Sequence, residues 1–175
     1  IGQASLLYGL RLVCGLAAAA VFTAIVMLIA VKYNRLMAGC FYVTFWLSPW
    51  IVNFAENLYW VEFTWFLPML AGLFCSLKID SRRCRVISYI GGLAAVTVKS
   101  LCGYEYISSV MMGLIAFLLA DFAAAVVSKD KEKARLMFRT VFIMGAAALL
   151  IHGGLRGDGD ISKGIKDIIE KDVLR

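Results

Sequence analysis

The sequence predicts an all-α protein, a polytopic transmembrane helix bundle of about six spans with a C-terminal amphipathic helix. Hydrophobic residues make up 62% of the chain, and the mean hydropathy of +0.82 exceeds that of soluble domains. Apolar runs of about 20 residues, the length that crosses the hydrocarbon core, recur along the chain. Lysines and arginines cluster between these runs, as in membrane proteins. Despite the net charge of +6, we therefore expect no nucleic-acid partner.

Six apolar runs qualify as membrane spans. They lie at about residues 6–31, 36–52, 60–77, 86–102, 106–127 and 137–155. Pro49 predicts a kink or a helix end at Ser48, because proline disfavours a helical conformation in the residue before it. Pro68 predicts a kinked third span whose freed carbonyl is satisfied by neighbouring helices. Because the connections are short, residues 1–155 are expected to form one bundle of antiparallel neighbours.

Residues 156–175 differ in character from the predicted bundle. The segment opens with the letters RGDGD and continues with isoleucines at helical spacing among charged residues, namely Ile161, Ile165, Ile168 and Ile169. This pattern predicts a glycine-containing turn followed by an amphipathic helix that rests on the membrane surface or on the bundle. The segment is also where a further domain would start.

The distribution of charge predicts how the bundle is oriented. If all six runs span, the connections at residues 32–35, 77–85 and 128–139 share one side, and they hold most of the lysines and arginines. The opposite connections, residues 53–61 and 103–105, contain neither residue type. Because cytoplasmic loops are enriched in Lys and Arg, we expect the basic connections to be cytoplasmic. The C-terminal tail and most tryptophans then belong to the outer side.

Three glutamates are candidate catalytic bases. Glu56, Glu62 and Glu105 are the acidic residues in or directly beside the outer connections, and each lies among aromatic residues at a predicted membrane boundary. A partly desolvated carboxylate there can act as a general base, because burial raises its pKa toward the working pH. The structural alternative is that all three are solvated loop carboxylates.

Cationic side chains near the same boundary are candidate ligands for an anionic group. Lys99 lies inside an apolar run, and it either extends to the interface, where Glu105 can pair with it, or binds an anionic head group. In the second case Arg11, His152 or Arg156 would assist, since phosphate needs fixed cations and hydrogen-bond donors.

Asp121 lies inside the fifth run, several residues from its inner boundary. We expect its carboxylate to face the bundle interior or water, in a helix-packing hydrogen bond or in proton transfer. The five cysteines are scattered and His152 is the only histidine, so the sequence predicts no clustered zinc site. No cofactor is expected, and a divalent metal is the alternative that the sequence leaves open.

Three segments carry a resemblance to a known superfamily. SPWIVNFAENLYWVEFTWFLPML, KSLCGYEYISSVMMG and RGDGDISKGIKDIIEKDVLR resemble bacterial multi-pass proteins that look like distant members of the GT-C superfamily of membrane glycosyltransferases. The resemblance implies a polyprenyl-phosphate sugar donor that enters from the membrane lipid, and a glycan or other acceptor outside the bacterial cytoplasmic membrane. It also implies an outer-loop Asp or Glu as base, and an Arg or Lys that holds the departing phosphate.

The chain departs from that superfamily in two places. GT-C enzymes place a key acidic residue in the first outer loop, after a helix that would precede Ile1, so we expect a segment of a longer protein. The relatives favour a basic residue where Glu56 stands, which ranks Glu62 and Glu105 above Glu56. Two other functions fit the residues: a transporter or flippase that uses Lys99 and Asp121 along its path, and a non-catalytic assembly subunit whose tail helix docks a partner.

Overall fold

The computed structural model describes residues 2–49, 63–102 and 106–156, and these ranges contain helices and no strand. Six α-helices lie within the described ranges: α1 Gly2–Lys32, α2 Arg35–Trp46, α3 Phe63–Leu77, α4 Arg82–Cys102, α5 Ile107–Val127 and α6 Lys131–Arg156. The predicted all-α class is confirmed for this part of the chain. The predicted amphipathic helix lies outside the described residues.

Four of these helices are long and apolar enough to cross a membrane, and α3 is apolar but shorter. The four membrane-length helices are α1, α4, α5 and α6. Much of their apolar surface points outward; for example, Leu16 is 62% exposed and Ile90 is 65% exposed. Such surface is stable in lipid rather than in water. The helices are therefore those of a membrane protein, while the count of about six spans stays a prediction.

Pro49 and Pro68 take different places relative to the helices, and the kink predicted at Pro68 stays a prediction. α2 ends at Trp46, two residues before Ser48, and its last turn is closed by backbone bonds at Leu47. The predicted helix end ahead of Pro49 is therefore confirmed, slightly earlier than expected. Pro68 lies inside α3 and is buried against neighbouring helices.

Short turns join the helices into antiparallel pairs. Residues 78–81 connect α3 to α4, and residues 128–130 connect α5 to α6. The side chain of Asp130 accepts a hydrogen bond of 3.0 Å from the backbone N–H of Lys133, which caps the start of α6. Asn34 caps α2 in the same way, through a bond of 2.6 Å from the Met37 N–H.

The centre of the bundle is α3, which packs against α1, α4 and α5, while α6 packs against α4 and α5. One hydrophobic cluster lies among α3 to α6 and includes Val96, Leu114 and Met144. A second lies where α1, α2 and α3 meet and includes Ile25 and Leu73. The short helix α3 thus contributes to both hydrophobic clusters and joins the α1–α2 part of the bundle to the α4–α6 part.

The helix ends separate into two groups. Lys32 at the end of α1 contacts Ser76 near the end of α3 and Asp121 near the end of α5, and a groove beside them is lined by Arg82 and Arg139. We call this the basic end, at which α1, α3 and α5 finish and α4 and α6 begin. The opposite end, at which α3 and α5 begin and α4 and α6 finish, is the aromatic end. The three basic connections therefore share one side, as predicted; the compartment that they face stays a prediction.

Candidate functional site

Lys99 is the centre of the candidate site at the aromatic end. It is 1% exposed and belongs to the buried stripe of α4 that also contains Gly92, Ala95 and Val96. Helical spacing therefore directs Lys99 toward the bundle instead of toward lipid. A charged side chain at membrane depth costs about 3 kcal/mol at the centre of a span. Lys99 is therefore buried among the helices and does not extend along the lipid-facing surface to reach water.

An aromatic ring covers the ammonium group of Lys99. The Nζ atom lies 5.4 Å from the centroid of the Trp65 ring, within the range of a cation–π interaction. Trp65 in turn packs against Tyr106, with ring centroids 5.2 Å apart. Trp65 belongs to the first turn of α3, and Tyr106 directly precedes α5. The first turn of α3 thus contacts the Lys99 ammonium, and the start of α5 packs against the same tryptophan.

His152 brings the end of α6 to the same place. Its Nδ1 lies 3.3 Å from the hydroxyl oxygen of Ser100, the residue that follows Lys99. His152 is half-buried. Arg156 is the last residue of α6; its side chain lies outside the described residues, so its binding role stays a prediction. The structure thereby places His152 against the neighbour of Lys99 in the chain; a shared binding role for Lys99 and His152 stays a prediction.

Arg11 is not brought to this site. It is exposed on α1, and α1 packs chiefly against α2 and α3. At 1.5 Å per residue, Arg11 lies about 32 Å and Lys99 about 26 Å above the basic end, so the two are at similar heights. Equal depth led the sequence prediction to combine them, whereas the lateral order of the helices separates them.

The three candidate bases Glu56, Glu62 and Glu105 lie outside the described residues, so their catalytic role stays a prediction. In sequence, Glu62 directly precedes α3 and Glu105 directly precedes Tyr106. Both are therefore within three residues of an aromatic side chain of the Lys99 site. Among the residues that the structure does describe, no three His, Cys, Asp or Glu side chains come together to hold a metal ion.

A second polar cluster occupies the basic end. Lys32 donates hydrogen bonds to Ser76 and to Asp121, and Ser76 also donates to Asp121. The side chains of Lys32 and Asp121 are 10% and 16% exposed. Asp121 therefore faces the bundle interior, as predicted, in a bond that ties three helices together. Its partner Lys32 was predicted only as a basic loop residue.

Tyr33 adjoins this cluster, with the Lys32 ammonium 5.2 Å from its ring centroid. Burial first, and then the charge and hydrogen bond of Asp121, raise the pKa of Tyr33 from 10.0 to about 12. The tyrosine lies in the turn between α1 and α2, where its hydroxyl hydrogen-bonds to the Asp121 carboxylate. It was missed because a single tyrosine at a helix end is usual at membrane interfaces.

We expect Tyr33 to stay protonated at a pH that ionises exposed tyrosines. Its pKa is higher in the folded state, so its contribution to stability is complete below pH 10.0 and is lost as the pH rises to about 12. The check is an ultraviolet titration of tyrosinate in wild-type protein and in Tyr33→Phe. The difference between the two curves should titrate near the higher value; a difference centred on the ordinary value would contradict the prediction.

The chain shows no detectable match to a protein-family model, to a curated protein or to a solved structure.

Proposed function

We propose that the aromatic end is the donor-binding site of a GT-C-like glycosyltransferase, and that Lys99 binds the phosphate of a polyprenyl-phosphate sugar. The observation that carries the proposal is the burial of Lys99, which is 1% exposed near the end of a membrane-length helix. A buried cation in a membrane-spanning helix costs free energy, which reaches about 3 kcal/mol at the centre of a span and is lower toward its end, so we expect Lys99 to have a function. An anion that enters from the bilayer is the ligand that such a cation suits.

The proposed topology has about six spans in the bacterial cytoplasmic membrane. The basic end faces the cytoplasm, in keeping with its lysines and arginines. The aromatic end and the tail of residues 156–175 face the outside, where the acceptor glycan arrives. Trp65 and Tyr106 then lie at the depth that these residue types favour.

In the proposed reaction, the acceptor hydroxyl oxygen attacks the anomeric carbon of the donor sugar. Glu62 or Glu105 accepts the hydroxyl proton, with Glu56 ranked below them. The bond between the anomeric carbon and the phosphate oxygen breaks, and the polyprenyl phosphate leaves with the electron pair. Its phosphate gains negative charge as the bond breaks, so Lys99 stabilises the transition state more than the bound donor. His152, next to Ser100, supplies a further donor.

The test is Lys99→Met, which keeps the length of the side chain and removes its charge. We expect sugar transfer from a labelled polyprenyl-phosphate hexose in proteoliposomes to fall by about 100-fold or more. Lys133→Met is the matched control, because Lys133 is exposed on α6 at the basic end. It should transfer sugar at the wild-type rate.

Loss of folding is separated from loss of chemistry by gel filtration of each variant in detergent. A folded Lys99→Met protein that transfers sugar as fast as wild type would remove Lys99 from the site. Substituting Glu62 or Glu105 by Gln then identifies the base, since the amide cannot accept the hydroxyl proton.

A further inference from the structure

A groove between α4 and α6 at the basic end plays no part in the proposed sugar transfer. It encloses about 310 Å³ and is lined by three arginines from two helices, Arg82 and Arg85 of α4 and Arg139 of α6. No carboxylate of the described residues lines it. Glu132 belongs to the adjacent groove at the start of α6. The feature is therefore a concentration of positive charge at one point on the bundle surface.

One of the three guanidinium groups is fixed by the fold. Arg85 donates a hydrogen bond to the backbone carbonyl of Ile79 in the turn before α4. Within the described ranges, neither Arg82 nor Arg139 forms an ion pair. Like charges that share a groove repel one another, and an anion bound between them removes that repulsion. Guanidinium groups bind phosphate oxygens with paired N–H donors, so phosphate is the anion that three arginines suit best.

Below the arginines, the same groove becomes apolar. Val86 lies one helical turn after Arg82, and Ile143 lies one turn after Arg139; their side chains are 45% and 38% exposed. The hydroxyls of Tyr89 and Thr140, 3.3 Å apart, lie between the helices at this level. The groove is therefore charged at the helix ends and apolar toward the bundle centre. A phospholipid has the same sequence of groups, with a charged head group followed by an apolar acyl chain.

We propose that this groove is a binding site for an anionic phospholipid. The phosphate group binds to Arg82, Arg85 and Arg139, and an acyl chain lies along Val86 and Ile143. Basic pockets between transmembrane helices bind such head groups in other membrane proteins. The apolar wall favours a lipid over a soluble phosphate, which would leave Val86 and Ile143 uncovered. The site requires only that the helices lie in a membrane and is independent of the proposed glycosyl transfer.

The experiment titrates the purified full chain, in neutral detergent, with tetraoleoyl cardiolipin or with dioleoyl phosphatidylcholine. Bound lipid is counted by native mass spectrometry, and stability is followed as the thermal unfolding midpoint. We expect cardiolipin to bind and raise the midpoint, and phosphatidylcholine to do neither. Arg82→Gln with Arg139→Gln should weaken cardiolipin binding by about tenfold or more, because two charge-assisted phosphate contacts are lost.

The matched control is Arg35→Gln with Lys133→Gln, which removes the same charge from exposed residues of the basic end outside the groove. Cardiolipin binding should then stay within about twofold of wild type, since screened surface charge contributes little. Equal weakening by both double variants would overturn the proposal in favour of diffuse surface attraction. Displacement of cardiolipin by millimolar inorganic phosphate, with the same rise in midpoint, would also overturn it.

A second pair of substitutions keeps the test decisive if glutamine at these positions lowers expression. Arg82→Lys with Arg139→Lys retains the charge but loses the planar paired donors. We expect this variant to bind cardiolipin more weakly than wild type and more strongly than the glutamine variant. Binding at the wild-type level by both the lysine and the glutamine variants would overturn the assignment of these arginines.

Discussion

Gly72→Ala is expected to destabilise the bundle strongly. A Cβ atom at position 72 would lie 1.8 Å from the backbone carbonyl oxygen of Leu114, so α3 and α5 approach each other closely here. A rotamer change cannot relieve a clash with backbone, and the two helices must move apart. Overpacking in cores costs about 1–3 kcal/mol, and we place this substitution at or above the upper limit because α3 contacts three other helices.

The chain offers a matched control in Gly91→Ala. Gly91 is also inside a helix, but a Cβ atom there would meet nothing within 4 Å. Alanine should be neutral at this position, or stabilise α4 by up to about 1 kcal/mol through its higher helix propensity. Unfolding of both variants by a denaturing detergent, followed by circular dichroism, measures the difference. Equal stability of the two variants would show that α3 and α5 do not pack closely at Gly72.

The sequence located the long helices because length and apolarity define a membrane span directly. The predicted run 106–127 differs from α5 by one residue at its start. The starts of α4 and α6 were placed too late, at residues 86 and 137 in place of Arg82 and Lys131. A helical turn that is rich in lysine and arginine has low hydropathy, so the hydropathy pattern placed it in a loop. The backbone hydrogen bonds of the helix nevertheless continue through these charged residues at the membrane surface.

The sequence predicts how deep the candidate-site residues lie along their helices, but it does not predict which helices lie side by side. Position along an apolar run gives the depth of a residue, and that is why Lys99, His152 and Arg11 were considered together. Which helices are neighbours depends on packing between small and large side chains, as at Gly72, and no periodic pattern reveals it. The same limit hid Trp65 as the ring above Lys99, and Lys32 as the partner of Asp121.

Asp121→Leu alone should destabilise the protein strongly, because it leaves the Lys32 ammonium and the Ser76 hydroxyl at the basic end without their shared acceptor. Removing one member of a buried ion pair costs about 3–5 kcal/mol. Since Lys32 and Asp121 are 10% and 16% exposed, water reaches the pair, and we expect about 2–3 kcal/mol here. Lys32→Met alone should destabilise the protein by a similar amount, because it leaves the Asp121 carboxylate without its cationic partner.

The double variant Lys32→Met with Asp121→Leu separates a packing role from a transport role. With both charges removed, no uncompensated ion remains, so we expect most of the lost stability to return, with a coupling energy of about 1–3 kcal/mol in the double-mutant cycle. Thermal unfolding of the four proteins measures it. Additive losses would show that the pair does not join α1 to α5. If the double variant is stable and still transfers sugar, the pair is structural. If the double variant is stable but has lost a solute-transport activity that the wild type shows, transport through Asp121 replaces glycosyl transfer as the function.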